Sequence, residues 1–220
     1  MKKYIIIVAG GSGSRMGSSI PKQFLELKAK PILIHTIDNL SRFVPEAEII
    51  VALPESQFDY WQELCQKHLF NLPHHLSKGG ATRFESVKNA LAFVKEESIV
   101  AIHDGVRPLV SRAVVENCFA TAEQMGSAIP SQSLVESLRK LKGNKSEVVN
   151  RNDYKIVQTP QCFKSELILK AYQLDYQESF TDDASVLEAL GNSVVLVEGN
   201  KENIKITSPE DLKMASFLIK

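Results

Sequence analysis

The segment Gly10-Gly11-Ser12-Gly13-Ser14-Arg15-Met16-Gly17 places four of the chain's eleven glycines directly after an apolar run. Glycine lets a backbone turn tightly and bring successive N–H groups against an anion, so this pattern predicts a phosphate-cradling loop. Two cations accompany it, Arg15 within the loop and Lys22 in Pro21-Lys22-Gln23. A glycine nest with two fixed positive charges suits a triphosphate better than a neutral ligand. Nucleotidyl transfer depends on positioning and on offsetting charge that develops on phosphate oxygens. No Gly-Lys pair completes a Walker sequence, and Met16 stands where a dinucleotide fingerprint requires its third glycine. Read by itself, the segment also fits a flexible turn.

Further clusters lie along the chain. Gly79-Gly80-Ala81-Thr82-Arg83-Phe84-Glu85-Ser86 is a second glycine-to-helix junction, with Thr82 and Glu85 spaced as a capping box. Alone it reads as a helix start. His103-Asp104-Gly105-Val106-Arg107-Pro108 ends another apolar run, where an acid can hold Mg2+ on phosphates. The same residues also fit an Asp–Arg surface pair. Val149-Asn150-Arg151-Asn152 and Gln158-Thr159-Pro160-Gln161 follow. Thr181-Asp182-Asp183-Ala184-Ser185 fits a helix start with acids at the positive end of the dipole. Lys205, in Asn203-Ile204-Lys205-Ile206-Thr207, fits a solvated edge lysine. His35, His68, His74, His75 and His103 lack metal-ligand spacing, and no Gly-x-Ser-x-Gly elbow occurs.

The elements that must position these groups alternate. Strands are expected over 4–9, 48–53, 72–76, 98–103, 127–130, 155–158, 193–198 and 203–206. Helices are expected over 31–43, 58–70, 82–94, 111–125, 166–174 and 182–190, and a last one begins at Ser208-Pro209. Residues 131–152 break the pattern: they are polar, centre on Lys142-Gly143-Asn144-Lys145, and read as a projecting hairpin. Strands joined through helices imply a largely parallel sheet covered on both faces, with ligands beyond the strands' carboxyl ends. Chemistry is therefore expected just after Ala9, Leu53, His103, Pro130 and Gln158, and four of those five places carry unusual residues.

The 220 residues fit a single domain over 1–220, long enough to bury its own core. Lys plus Arg and Asp plus Glu each total 26, which argues against a nucleic-acid binder while leaving room for a small anionic ligand. No run reaches the ~18 apolar residues of a membrane span. Met1–Ala9 has the basic start of a signal peptide, but glycines and Arg15 follow instead of a cleavage site, so it reads as a strand. Cys65, Cys118 and Cys162 are odd in number and scattered, as expected of reduced thiols in the cytoplasm. From residues alone this is an α/β protein for a phosphorylated ligand of nucleotide type, with base and acceptor open.

Taken in order from Val8 to Leu212, these motifs resemble the 2-C-methyl-D-erythritol 4-phosphate cytidylyltransferase family. The resemblance implies a Rossmann-like, nucleotide-diphospho-sugar transferase-like fold with a projecting β-hairpin arm. It implies the reaction of CTP and 2-C-methyl-D-erythritol 4-phosphate to the CDP-alcohol and pyrophosphate, with Mg2+, in isoprenoid precursor synthesis. By resemblance, Arg15 and Lys22 stabilise the pentavalent transition state. Arg151, Lys205, Asp104, Arg107, Ser137 and Thr159 position the acceptor, Asp104 also serving the metal. Ala9, Gly10, Gly11, Ser12, Gly13, Gly80, Ala81 and Ser86 hold the nucleotide. The hairpin, about 131–152, embraces a second subunit in a homodimer and brings Arg151 to the neighbour's site.

The sequence departs from the family pattern at three places. Ala81 stands where an Asp is common, Ser137 where a Thr is common, and Gly105-Val106 where Ala-Ala is usual. The alternatives are a ribitol-5-phosphate cytidylyltransferase, with the same loop and chemistry, and a catalytically silent nucleotide-binding module. The joint presence of Arg15, Lys22, Asp104, Arg151 and Lys205 speaks against silence.

Overall fold

The apolar run Tyr4–Ile7 is buried on both of its faces, as a central strand between two helical layers must be. The structure, a computed structural model, describes residues 1–11 and 20–219. Its elements run β1 (Lys2–Val8), β2 (Glu26–Leu27), β3 (Lys30–Pro31), α1 (Ile32–Phe43), β4 (Glu48–Leu53), α2 (Phe58–Lys67), β5 (His75–Lys78), α3 (Arg83–Leu91) and β6 (Ser98–Asp104). Then come α4 (Arg112–Met125), β7 (Ser127–Ser133), β8 (Arg139–Lys142), β9 (Lys145–Val148), β10 (Lys155–Val157), β11 (Gln161–Lys164), α5 (Ser165–Ala171), α6 (Asp183–Glu188), β12 (Leu196–Glu198) and α7 (Pro209–Leu218).

The main sheet has the order β10-β7-β11-β6-β1-β4-β5, with β12 also pairing β7. β1 runs parallel to β4 and β6, and β4 runs parallel to β5. The crossovers α1, α2, α3 and α4 connect these strands, as the alternation of elements predicts. Side chains alternate between two cores. Ile5 and Ile7 pack with Leu33 and Ile37 of α1, Leu64 of α2 and Val115 of α4. Tyr4 and Ile6 pack with Val87 of α3, Ile168 of α5 and Leu187 of α6. Caps end the helices where the sequence places them. The Ser111 hydroxyl accepts from the Val114 N–H, and α7 opens on a Ser208–Asp211 capping box with Pro209 at the first turn.

Four features differ from the expectations. The strand expected over 72–76 lies at His75–Lys78. Gln161–Lys164, assigned to no element from the sequence, forms β11, an antiparallel strand inserted between β6 and β7. Asn203–Ile206 forms no strand: the Ile206 N–H donates to the Val106 carbonyl and the Asn203 N–H to the Asn200 carbonyl, so no ladder forms. The two-stranded hairpin proper is β8–β9, whereas Ser131–Ser133 continue β7 in the main sheet. Among the described residues no helix is long and apolar enough to cross a membrane.

Candidate active site

The parallel strands end together, and their last hydrogen bonds carry the backbone into a cleft. The Ala9 N–H reaches the Ala52 carbonyl at 2.9 Å, and the Gly105 N–H reaches the Val8 carbonyl at 2.8 Å. The cleft has a volume of about 380 Å³ and is lined by Ala9, Gly10, Gly11, Lys22, Gly80, Ala81, Ser86, Asp104 and Lys205, among others. Nine residues singled out in the sequence thus meet at one place. Ser12, Gly13 and Arg15 lie outside the described residues.

One wall is made from backbone and hydroxyl groups. The Gly80 N–H donates to Ser86 Oγ at 3.0 Å, and that hydroxyl donates to the Thr82 carbonyl at 2.9 Å. The expected capping box is present: the Glu85 N–H donates to Thr82 Oγ1 and the Thr82 N–H to Glu85 Oε2, each at 3.1 Å. A Cβ on Gly80 would stand 2.2 Å from Glu85 Cβ, so only glycine lets the chain turn this tightly onto α3. Opposite, a Cβ on Gly11 would begin 3.2 Å from Lys22 Cε: the lysine stem passes directly over the glycine backbone.

The other wall centres on Asp104, the last residue of β6. Its Oδ2 accepts from Arg107 Nε at 3.0 Å and lies 3.1 Å from Lys205 Nζ. Its Oδ1 lies 3.8 Å from Arg83 Nε. Burial opposes ionisation of this carboxyl, but Arg83, Lys205 and Arg107 together outweigh burial and hold it well below the usual carboxylate range. The Asp104 N–H donates to Thr159 Oγ1 at 3.1 Å, and that oxygen lies 3.0 Å from His103 Nδ1. His103 Nε2 lies 3.0 Å from the Arg107 carbonyl, which can only accept. The proton of His103 is therefore on Nε2, and the Thr159 hydroxyl donates to Nδ1. Burial is the main cause holding His103 neutral, with its pKa lowered to about 4.

Arg107 and Thr159 meet Asp104 and Lys205 in an adjoining recess of about 140 Å³. Ser137 and Arg151 do not join them. They line a separate hollow of about 500 Å³ beside the hairpin, and the Arg151 guanidinium donates to the Val135 carbonyl.

Several residues escaped the sequence reading. Arg83 grips the fully buried Asp183 with two bonds of 2.7 and 2.6 Å, and Tyr172 Oη donates to the same carboxylate at 2.6 Å. The acids at 181–185 do start a helix, with Asp182 as N-cap, yet Asp183 is turned inward as a counterion. No local sequence signal pairs Arg83 with an acid a hundred residues away. Lys205 belongs to no sheet edge and pairs with Asp104, although its side chain stays exposed.

A magnesium ion can be weighed against these donors. Asp104 is the only acid lining the cleft among the described residues, and its Oδ2 is taken by Arg107 and Lys205. Oδ1 keeps hydrogen-bonding capacity, since its 3.8 Å neighbour is beyond hydrogen-bond range. One carboxylate oxygen beside a polyphosphate fits an ion held mainly by phosphates, and does not fit an all-protein cage.

Comparison with known proteins agrees with this geometry. The family model for 2-C-methyl-D-erythritol 4-phosphate cytidylyltransferase matches residues 4–220. The protein of that name from Phocaeicola vulgatus is 52% identical over 219 residues, covering 100% of both chains. The crystal structure of the Thermus thermophilus enzyme of that name is 31% identical, with a TM-score of 0.77 over 99% of this chain and 98% of that one. The bifunctional IspDF of Campylobacter jejuni, at 30% identity and a TM-score of 0.82, covers 97% of this chain; this chain spans 54% of it. Full-length sequence agreement and a shared fold lead to one assignment: the chain belongs to the 2-C-methyl-D-erythritol 4-phosphate cytidylyltransferase family.

Proposed function

We propose that this protein transfers the cytidylyl group of CTP to 2-C-methyl-D-erythritol 4-phosphate, releasing pyrophosphate, as a step in isoprenoid precursor synthesis. The observation that carries this reading is one cleft in which Arg83 and Lys205 face Asp104 and which Lys22 and the glycine junctions also line. An acceptor phosphate oxygen attacks the α-phosphorus in line: a new P–O bond forms and the bond to pyrophosphate breaks. Lys22, with Arg15, offsets charge on the phosphoryl oxygens as it develops. Gly10, Gly11, Gly80 and Ser86 hold the cytidine end through backbone and hydroxyl groups. Lys205 and Arg107, fixed in direction by Asp104, orient the acceptor phosphate, and Thr159 fixes Asp104. Asp104, through its Oδ1, would help hold a magnesium ion on the triphosphate, and the ion would supply further charge neutralisation.

Arg151 and Ser137 complete the acceptor side of a second subunit's site, because they stand apart from Asp104 within one chain. The protein accordingly works as a homodimer through its hairpin. Free thiols at Cys65, Cys118 and Cys162 support a cytoplasmic setting.

The test is pyrophosphate release from CTP and Mg2+ with 2-C-methyl-D-erythritol 4-phosphate, with ribitol 5-phosphate, and without acceptor. Release with the methylerythritol phosphate alone is expected. Release with ribitol phosphate alone overturns the acceptor, and no release from folded, CTP-binding protein overturns the activity.

A further inference from the structure

Asn203 is wholly buried, and one of its polar atoms, Oδ1, has no hydrogen-bond partner among the described residues. Such an atom costs stability and is kept only where the rest of the side chain serves a purpose. The other half of the amide is fully used: Nδ2 donates to the Thr159 carbonyl at 2.8 Å and to Gln158 Oε1 at 3.4 Å. The main-chain carbonyl of the same residue accepts from Arg107 Nη1 at 2.8 Å. Arg107 in turn holds the Asp104 carboxylate, and the Asp104 N–H returns to Thr159 Oγ1. The bonds form a closed circuit, Asp104 to Arg107 to Asn203 to Thr159 and back to Asp104. Lys205 follows two residues after Asn203 and closes onto the same carboxylate.

We infer that Asn203 is a positioning residue for the acceptor side: its side-chain bond to Thr159 fixes the carbonyl that aims Arg107 and the backbone that presents Lys205. The inference rests on the proposed acceptor side of this cleft. A structural role for the fold is carried elsewhere. Ile206, three residues on, is fully buried with Leu27, Ile32, Val106 and Ala215, and its N–H bonds to the Val106 carbonyl at 3.0 Å. Loss of the Asn203 amide therefore loosens the approach to Lys205 without detaching the segment. None of its bonds goes to the glycine junctions, so the nucleotide wall is left as it was.

The experiment compares the intact protein with Asn203→Asp, which removes the Nδ2 donor at nearly constant volume, and with Asn203→Ala. The KM for the phosphorylated acceptor should rise about tenfold, as for one lost buried hydrogen bond, and kcat should fall. The KM for CTP should stay within about twofold, because the bonds lost are all on the Asp104 wall. In an Arg107→Ala background the same substitution should cost less than it does in the intact protein, since part of its effect passes through Arg107 and the rest through Lys205. Equal changes in both KM values, or full additivity with Arg107→Ala, overturns the inference. If both variants fail to fold, the role is structural and the inference also falls. An intact protein inactive with every acceptor fails the proposed function instead, a result read before any variant is made.

Discussion

The two walls of the cleft recognise ligand by different means. The Gly80–Ser86 wall is built of backbone and hydroxyl groups whose own bonds fix a capped helix start. The Asp104 wall offers cations already aimed by a shared, strongly acidic carboxylate. Backbone and hydroxyl groups suit the neutral edges of a base and ribose, and fixed charge suits phosphates. The difference also separates costs. A backbone wall is cheap and depends on local turn chemistry. A charged wall buries ions, so each must be paired, by a near neighbour such as Arg107 beside Asp104 or by a residue distant in sequence. Asp183 and Arg83, a hundred residues apart, are an example.

The sharpest way to break the comparison is to ask whether both walls come from one chain. Under the proposed dimer, the nucleotide wall is self-contained and the acceptor wall borrows Arg151. Arg15→Ala and Arg151→Ala should each be nearly inactive. Mixed at random in equal amounts, half of the dimers are hybrid, and each hybrid holds one intact site, so about a quarter of the full activity returns. A site built within one chain regains nothing, and absence of recovery in verified hybrids would sink the shared arrangement.

The second prediction loads the charged wall alone. His103 has its pKa lowered from 6.5 to about 4 by burial, so the folded protein refuses a proton that the unfolded chain accepts. Above pH 6.5 neither state carries that proton and nothing is lost. As pH falls from 6.5 to about 4, proton uptake by the unfolded chain removes about 3 kcal/mol of stability, and below that the loss levels off. Asp104 acts in the same direction but lower on the pH scale: its depressed pKa contributes stability above the unfolded carboxylate value of 3.8, lost only as pH falls below it, so the two windows are distinct. His103→Gln, whatever it costs at neutrality, should lose about 3 kcal/mol less than the parent between pH 7 and 4. Urea unfolding at stepped pH reads this, and parallel curves for the two proteins would exclude His103 as the source.

Legibility in the sequence follows the same division. The backbone wall could be read directly, because Gly10-Gly11, Gly79-Gly80 and the Thr82/Glu85 spacing are local signals. β1, β4 and β6 announce themselves as apolar runs long enough to be counted. The charged wall could be read only as unusual residues at strand ends. Nothing in the neighbourhood of Arg83 names Asp183, and nothing near Asn203 names Thr159. β11 escaped because four residues, Gln-Cys-Phe-Lys, carry no usable period and follow a proline. The alternation in Asn203-Ile204-Lys205-Ile206 is real, but it answers to a small core and a lysine pair, not to a neighbouring strand.

The smallest effect tests the backbone wall. Thr82 Oγ1 caps α3, and the Thr82 carbonyl receives the hydroxyl of Ser86, which itself receives the Gly80 N–H. Thr82→Ala removes the cap and should cost about 1 kcal/mol of stability. Fraying of that first turn shifts Ser86 and so releases Gly80, raising the KM for CTP a few-fold. The Asp104 circuit shares no bond with Thr82, and Arg83 stays anchored by its two bonds to Asp183, so the acceptor KM should not move. Thr82→Ser, which keeps the capping oxygen, should restore both stability and CTP affinity. Acceptor affinity that weakened in step with CTP affinity would mean that the two walls yield together, and that their separate construction has no separate consequence.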